Sequence, residues 1–172
     1  AVYGTKDVTA VTTWNPLLSE ILAQPNATKV FDSSKIPGEI MDLMVVNTDT
    51  LKKNPALGKA LVGAWYEIMA IMSAKDKTAT AAKTAMATAS GTDLPGFEAQ
   101  LASTKMFYAA TEALALVNSD ALLTTMQKVA EFSFDHGLLG EGAPDAEYIG
   151  VQGPKGIYGN KDNVKLRFDT TY

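Results

Sequence analysis

The sequence has no cysteine and one histidine, His136. The lack of cysteine excludes disulfides, thiolate metal sites and cysteine nucleophiles, and a lone histidine excludes the usual histidine-based zinc sites within this chain. His136 falls in the last turn of a predicted helix, where we expect a capping or packing role. No Gly-x-Ser-x-Gly motif is present, so a serine hydrolase has no support. We therefore expect no catalytic residue, no metal ligand and no cofactor, and no enzymatic activity.

Basic residues are scattered, and acidic residues outnumber them by 19 to 15, which gives a net charge of -4. Nucleic-acid surfaces need clustered Lys and Arg side chains, so we expect no nucleic-acid partner. No apolar run approaches the roughly 18 residues that a membrane span requires. The sequence therefore predicts no membrane-spanning helix.

Glycine is dense between residues 138 and 168, and this density invites a phosphate-loop interpretation. The segment contains neither Gly-x-Gly-x-x-Gly nor a P-loop motif, and no helix pattern begins where a phosphate would need one. Loops and a small hairpin-like excursion explain this glycine-rich segment better than a phosphate loop does.

Segments rich in Val, Ile and Thr predict three strands, at residues 7–14, 28–31 and 40–47. The third segment has apolar residues with little alternation, so we expect it to be central in a sheet and covered on both faces.

Proline and apolar periodicity predict the helices. Asn15 is a natural N-cap that places Pro16 at the first helical position. The longest helix is predicted over residues 55–72, where the apolar stripe is expected to be core; its members are Leu57, Leu61, Trp65, Ile68 and Met72. Further helices are predicted at 76–90, closed by Gly91, then from Thr92 or Asp93 to residue 101, at 111–117, and at 119–136, with Ser119 as N-cap and Gly137 after its end.

Residues 10–18 form a corner at which a predicted strand runs into a predicted helix. Open α/β sheets bind ligands at such corners, because the strand end meets the free N–H groups of the helix. Glu39 and Asp42 lie three residues apart on a predicted loop and strand, so they are expected to point to opposite faces and not to form an acid/base pair.

A set of motifs occurs in a fixed order along the chain. Thr-Thr-Trp-Asn-Pro-Leu-Leu spans 12–18, Ser-Ser-Lys-Ile-Pro-Gly-Glu-Ile-Met-Asp-Leu-Met-Val-Val-Asn spans 33–47, and Leu-Lys-Lys-Asn-Pro-Ala at 51–56 precedes the long helix with Ala-Trp at 64–65. This order resembles the second half of periplasmic solute-binding proteins of the nitrate/sulfonate/taurine class of ABC transporters, with some likeness to urea-, guanidine- or taurine-type members. Phe-Ser-Phe-Asp-His-Gly-Leu-Leu at 132–139 resembles a late helix end in the same proteins.

The resemblance implies an α/β fold that is part of a two-lobed, type II-like periplasmic binding protein, helix-rich with a few strands. Residues 1–38 would end the second lobe and approach the hinge, and residues 39–172 would form the C-terminal part of the first lobe. It implies a substrate-binding component of an ABC importer, periplasmic or otherwise extracytoplasmic and membrane-anchored. Its partners would be a small-molecule solute and the membrane permease.

In that picture the ligand would meet the hydroxyls of Thr12 and Thr13, the ring of Trp14 and the amides that begin at Asn15. Arg167 is the only arginine and lies far along the chain from Trp14, so no bidentate clamp for a sulfonate or carboxylate stands close to the tryptophan. If the missing half of the protein supplies no such clamp, a neutral or cationic nitrogen compound is preferred, with Glu39 or Asp42 as its candidate partner.

Ala1 is not an initiator methionine, and residues 169–172 resemble the start of a helix. We therefore expect a fragment that lacks most of one lobe; the alternative is a mature chain whose ends look ragged. A fragment buries its core incompletely, which leaves open an association with a missing N-terminal part or a domain-swapped copy.

Two other function classes stay open. Some proteins similar to this class make a thiamine pyrimidine precursor, but they use histidine and cysteine chemistry that this stretch lacks. The third class is a helical interaction module without a small-molecule ligand.

Overall fold

The structure, a computed structural model, describes residues 2–36 and 38–172. Pro37, which belongs to the second motif, and Ala1 lie outside the described residues. Contacts divide the chain into two compact units. Unit 1 consists of Ala1–Ile40 and Ile71–Met106, and unit 2 consists of Met41–Ala70 and Phe107–Tyr172. The assignment of residues 1–38 and 39–172 to two lobes stays a prediction.

Helices take up 48% of the chain and strands 7%. This confirms the coarse expectation of a helix-rich α/β protein with few strands. The helices are α1 (Leu17–Leu22), α2 (Thr48–Lys53), α3 (Pro55–Ser73), α4 (Lys77–Ala89), α5 (Leu94–Ala102), α6 (Ala110–Val117) and α7 (Ala121–Asp135). The strands are β1 (Gly150–Gly153), β2 (Gly156–Tyr158) and β3 (Val164–Arg167), and short 3-10 helices lie at Val2–Gly4 and Ser33–Lys35.

The three strands predicted in the first third of the chain are wrong. Residues 7–14, 28–31 and 40–47 have no strand structure, and Val30 is 94% exposed while Val45, expected to be covered on both faces, is 73% exposed. A strand is held by pairing with a neighbour, and no other described segment hydrogen-bonds to these residues as a strand. A β-favouring composition without a partner therefore leaves segments without strand structure.

Unit 1 contains the helices whose ends are determined by local sequence. The Asp76 carboxylate caps α4 by accepting from the amide of Ala79 at 2.8 Å, and Asp93 caps α5 through the amide of Gly96 at 2.8 Å. Gly91 follows α4 with φ +74°, and the amide of Thr92 donates to the carbonyl of Ala87 at 3.0 Å. This closure is a Schellman motif, and it confirms the predicted role of Gly91.

Unit 2 contains a three-stranded sheet with the order β2-β1-β3. β1 pairs antiparallel with β2 and parallel with β3, so the hairpin predicted in the Gly-rich segment is confirmed and a third strand is added to it. Helix α7 packs against β1 and β2. Its buried side chains recur every four residues, as a core-facing stripe requires; they are Leu122, Met126 and Ala130.

The start of α7 differs from the prediction. Asp120, and not Ser119, occupies the N-cap position, and Asp120 makes no side-chain capping bond. The hydroxyl oxygen of Ser119 is buried and has no hydrogen-bond partner in the described part of the chain. The end of α7 agrees with the prediction, because Gly137 adopts φ +70° directly after His136.

Helix α3 confirms the longest predicted helix, but its predicted core stripe is only partly buried. Met72 and its neighbour Met69 are buried, whereas Trp65 is 47% exposed and Ile68 is 40% exposed. The expectation that Trp65 and Ile68 are core residues is therefore wrong. Helical spacing identifies the apolar face of α3, but it does not determine what covers that face.

None of the described helices combines the length and apolarity needed to cross a membrane.

Candidate functional site

The candidate site begins in an irregular stretch that leads into α1. Thr12 and Trp14 are exposed, and Thr13 and Asn15 are half-buried. The Trp14 side chain is 78% exposed, which is unusual for the largest apolar side chain. Trp14 therefore presents its indole ring to solvent, directly after an exposed Thr12 and a half-buried Thr13.

The helix start is displaced from the predicted position. The N-cap position of α1 is Pro16, not Asn15, and no side chain caps this helix. The Asn15 side chain instead accepts a hydrogen bond from the Ser19 hydroxyl at 2.8 Å, and the Asn15–Pro16 peptide bond is cis. Pro16 has no N–H, and the amide of Leu18 already donates to the carbonyl of Trp14 at 3.0 Å. Pro16 thus offers no donor to a ligand, and the Leu18 amide is already used within the chain.

Glu39 and Asp42 are both exposed carboxylates. Glu39 lies in a turn in which its amide donates to the carbonyl of Ile36 at 3.2 Å. Asp42 lies in segment 41–46, which has no regular secondary structure. Glu39 belongs to unit 1, together with residues 12–15, whereas Asp42 belongs to unit 2. Within unit 1 the site residues are thus two threonines, a tryptophan, an asparagine and one carboxylate.

His136 serves as the C-cap of α7. Its Nδ1 lies 2.8 Å from the carbonyl oxygen of Phe132, and its ring stacks on the Phe132 ring with a centroid distance of 4.0 Å and an interplanar angle of 20°. A carbonyl oxygen only accepts hydrogen bonds, so Nδ1 is the donor in this contact. The predicted capping and packing role of His136 is confirmed.

A charged cluster surrounds Asp32 in unit 1. The Lys29 ammonium lies 2.6 Å from one carboxylate oxygen, and the Ser34 amide and hydroxyl donate to the other. The hydrogen bond from Lys29, followed by those from Ser34, lowers the pKa of Asp32 from 3.8 to about 2. Because the cluster is local and satisfied within itself, its effect is to hold the turn at Ser33–Lys35.

A shallow depression with a volume of about 280 Å³ lies in unit 2. Two carboxylates and one aromatic ring line it; the full lining is Pro144, Asp145, Glu147, Tyr148, Gly159 and Asn160. No group of three or more metal-ligating side chains occurs among the described residues. The sequence signal for this feature is the pair of acidic residues at 145 and 147, which the sequence analysis did not single out.

The same acidic loop affects the partly buried Tyr158. Burial raises the pKa of the Tyr158 phenol, and the negative charges of Glu131, Glu147 and Asp145 raise it further. The phenol is therefore held in its neutral form, in which it can donate a hydrogen bond.

Comparison of the chain with protein-family models, with curated proteins and with solved structures gives no match.

Proposed function

We propose that the chain is part of the substrate-binding component of an ABC importer, which captures a small solute and delivers it to a membrane permease. The proposal rests on the ordered motifs between residues 12 and 65, and the observation that carries it is the exposed Trp14 directly after two threonine hydroxyls. In this proposal residues 12–15 form one wall of a cleft that closes by a hinge motion.

Trp14 contributes most of the binding surface in this proposal. A tryptophan side chain offers 150–250 Å² of area, with a negative ring face that attracts cations and stacks on planar groups. At 78% exposure the ring obtains little of the free energy that burial would supply. A solute that covers the ring recovers part of that free energy, so Trp14 is a favourable contact for a planar ligand.

Polar groups beside the ring would orient the solute. The side chains of Thr12 and Thr13 can each donate and accept a hydrogen bond. Glu39 adds an acceptor in the same unit, and Asn15 already accepts from Ser19. Because acceptors and hydroxyls dominate this set, it suits a ligand that is rich in N–H donors.

The position of the arginine supports the same solute class. The only arginine, Arg167, lies on β3 in unit 2. A sulfonate or carboxylate favours a bidentate arginine, whereas urea- or guanidine-like compounds favour carbonyl and carboxylate acceptors. We therefore place neutral or cationic nitrogen compounds ahead of nitrate and taurine.

The test is a thermal-shift screen of the full chain with urea, guanidinium, taurine and nitrate at millimolar concentration. A solute that binds the folded state raises the unfolding midpoint by mass action. Isothermal titration calorimetry then compares the chain with Trp14→Ala and Trp14→Phe. We expect Trp14→Ala to weaken binding at least about tenfold, or about 1.4 kcal/mol, and Trp14→Phe to weaken it less.

The chain offers a matched control because it has two tryptophans. Trp65→Phe changes an exposed tryptophan of unit 2 that the proposal places outside the cleft, so it should leave the affinity unchanged. In that variant Trp14 is the only indole, and its fluorescence should change as solute is added. If no solute raises the midpoint, the solute-binding proposal fails; if Trp14→Ala binds as tightly as the unchanged chain, Trp14 is not in the site.

A further inference from the structure

We draw no further inference here: the strongest candidate, the apolar segment 41–46 of unit 2, has exposed Leu43, Met44 and Val45 side chains and no backbone hydrogen-bond partner among the described residues, but nothing in the structure shows what covers it.

Discussion

At the scale of single residues, the best-defined electrostatic feature is the Asp32 carboxylate. Its partners, Lys29 and Ser34, lie within three residues of it along the chain, so the arrangement needs no tertiary support. The lowered pKa means that the ionised form is favoured in the folded turn. The stabilisation that the ionised carboxylate gives this turn is therefore fully present above pH 3.8 and is lost as the pH falls through about 2.

We expect Lys29→Met to raise the pKa of Asp32 towards its ordinary value of 3.8, because the largest cause of the lowering is removed. An NMR titration of the Asp32 side-chain carboxyl carbon measures this pKa directly. Lys35→Met is the matched control, since Lys35 is not among the groups that lower the pKa of Asp32. An equal rise in both variants would show that general charge, and not the Lys29 hydrogen bond, sets the pKa. High salt should also weaken the effect, because the pair is exposed.

At the scale of secondary-structure elements, helix ends are the most predictable part of this fold. Asp76 and Gly91 bracket α4 through contacts that span only a few residues, and local contacts are what sequence patterns encode. The start of α7 shows the limit of this reasoning. The sequence predicts Ser119 as the N-cap, but Asp120 occupies that position, and both residue types are favourable N-caps. Composition alone does not choose between two such neighbours.

Removing the cap of α4 should destabilise its first turn. Asp76→Ala loses the acceptor for the amide of Ala79, and the expected cost is about 1 kcal/mol. Asp76→Asn keeps an acceptor oxygen and should retain most of the stability. Hydrogen exchange of the Ala79 amide measures the effect locally: it should accelerate about fivefold in Asp76→Ala. Equal exchange in the two variants would contradict the capping role.

Helix α3 contains two glycines in different surroundings, which makes it suitable for a matched comparison. A methyl group at Gly63 would meet nothing within 4 Å, whereas one at Gly58 would lie 2.6 Å from the ring of Tyr172. Both positions are helical, and alanine is favoured over glycine in a helix by about 1 kcal/mol. Gly63→Ala should therefore stabilise the chain by up to about 1 kcal/mol.

Gly58→Ala should lose that gain, because the Tyr172 ring has to move away from α3. Denaturant unfolding of the single variants and of Gly58→Ala in a Tyr172→Ala background completes a double-mutant cycle. In the Tyr172→Ala background, Gly58→Ala should again stabilise, as Gly63→Ala does. Additive effects of Gly58→Ala and Tyr172→Ala would show that the ring does not pack on Gly58.

At the scale of the whole molecule, sequence patterns predicted helices well and strands poorly. The helix at residues 55–73 follows from its own periodicity, but a strand at 40–47 needs a neighbouring strand that the pattern does not identify. The sheet forms instead between β1, β2 and β3, where the two-residue turn at Pro154 and Lys155 brings β1 and β2 together. Strands that lie close together along the chain thus pair in this structure, whereas the predicted strands that would need a distant partner do not form.

The candidate site shows the same contrast between local structure, which the sequence predicts, and tertiary surroundings, which it does not. The order of residues in 12–18 predicted a strand-to-helix corner, and the structure retains a short helix there without the strand. The exposure of Trp14 depends on what lies over it, which no local pattern encodes. The functional hypothesis therefore comes from the resemblance, and the structure adds only how exposed the residues of the candidate site are.

The unpaired state of segment 41–46 is itself testable at this scale, because it predicts where the molecule is protected from hydrogen exchange. Amides without hydrogen bonds exchange at close to their intrinsic rates, and amides of packed elements exchange only through opening. We expect residues 41–46 to exchange within seconds and the amides of α7 and β1 to exchange much more slowly, as measured by mass spectrometry of the full chain.

A pair of valine substitutions tests the same difference in local stability, between segment 41–46 and the packed strand β1. Val45 is 73% exposed and Val151 is 4% exposed, so Val45→Thr should change the free energy of unfolding by less than about 0.5 kcal/mol. Val151→Thr places a hydroxyl in the contact between β1 and α7 and should cost about 1–3 kcal/mol. Slow exchange at 41–46 together with a large cost for Val45→Thr would mean that this segment is a paired strand after all, as its composition predicts. Fast exchange and a small cost would show that β-forming composition, without a neighbouring strand, leaves these residues unpaired and open to solvent.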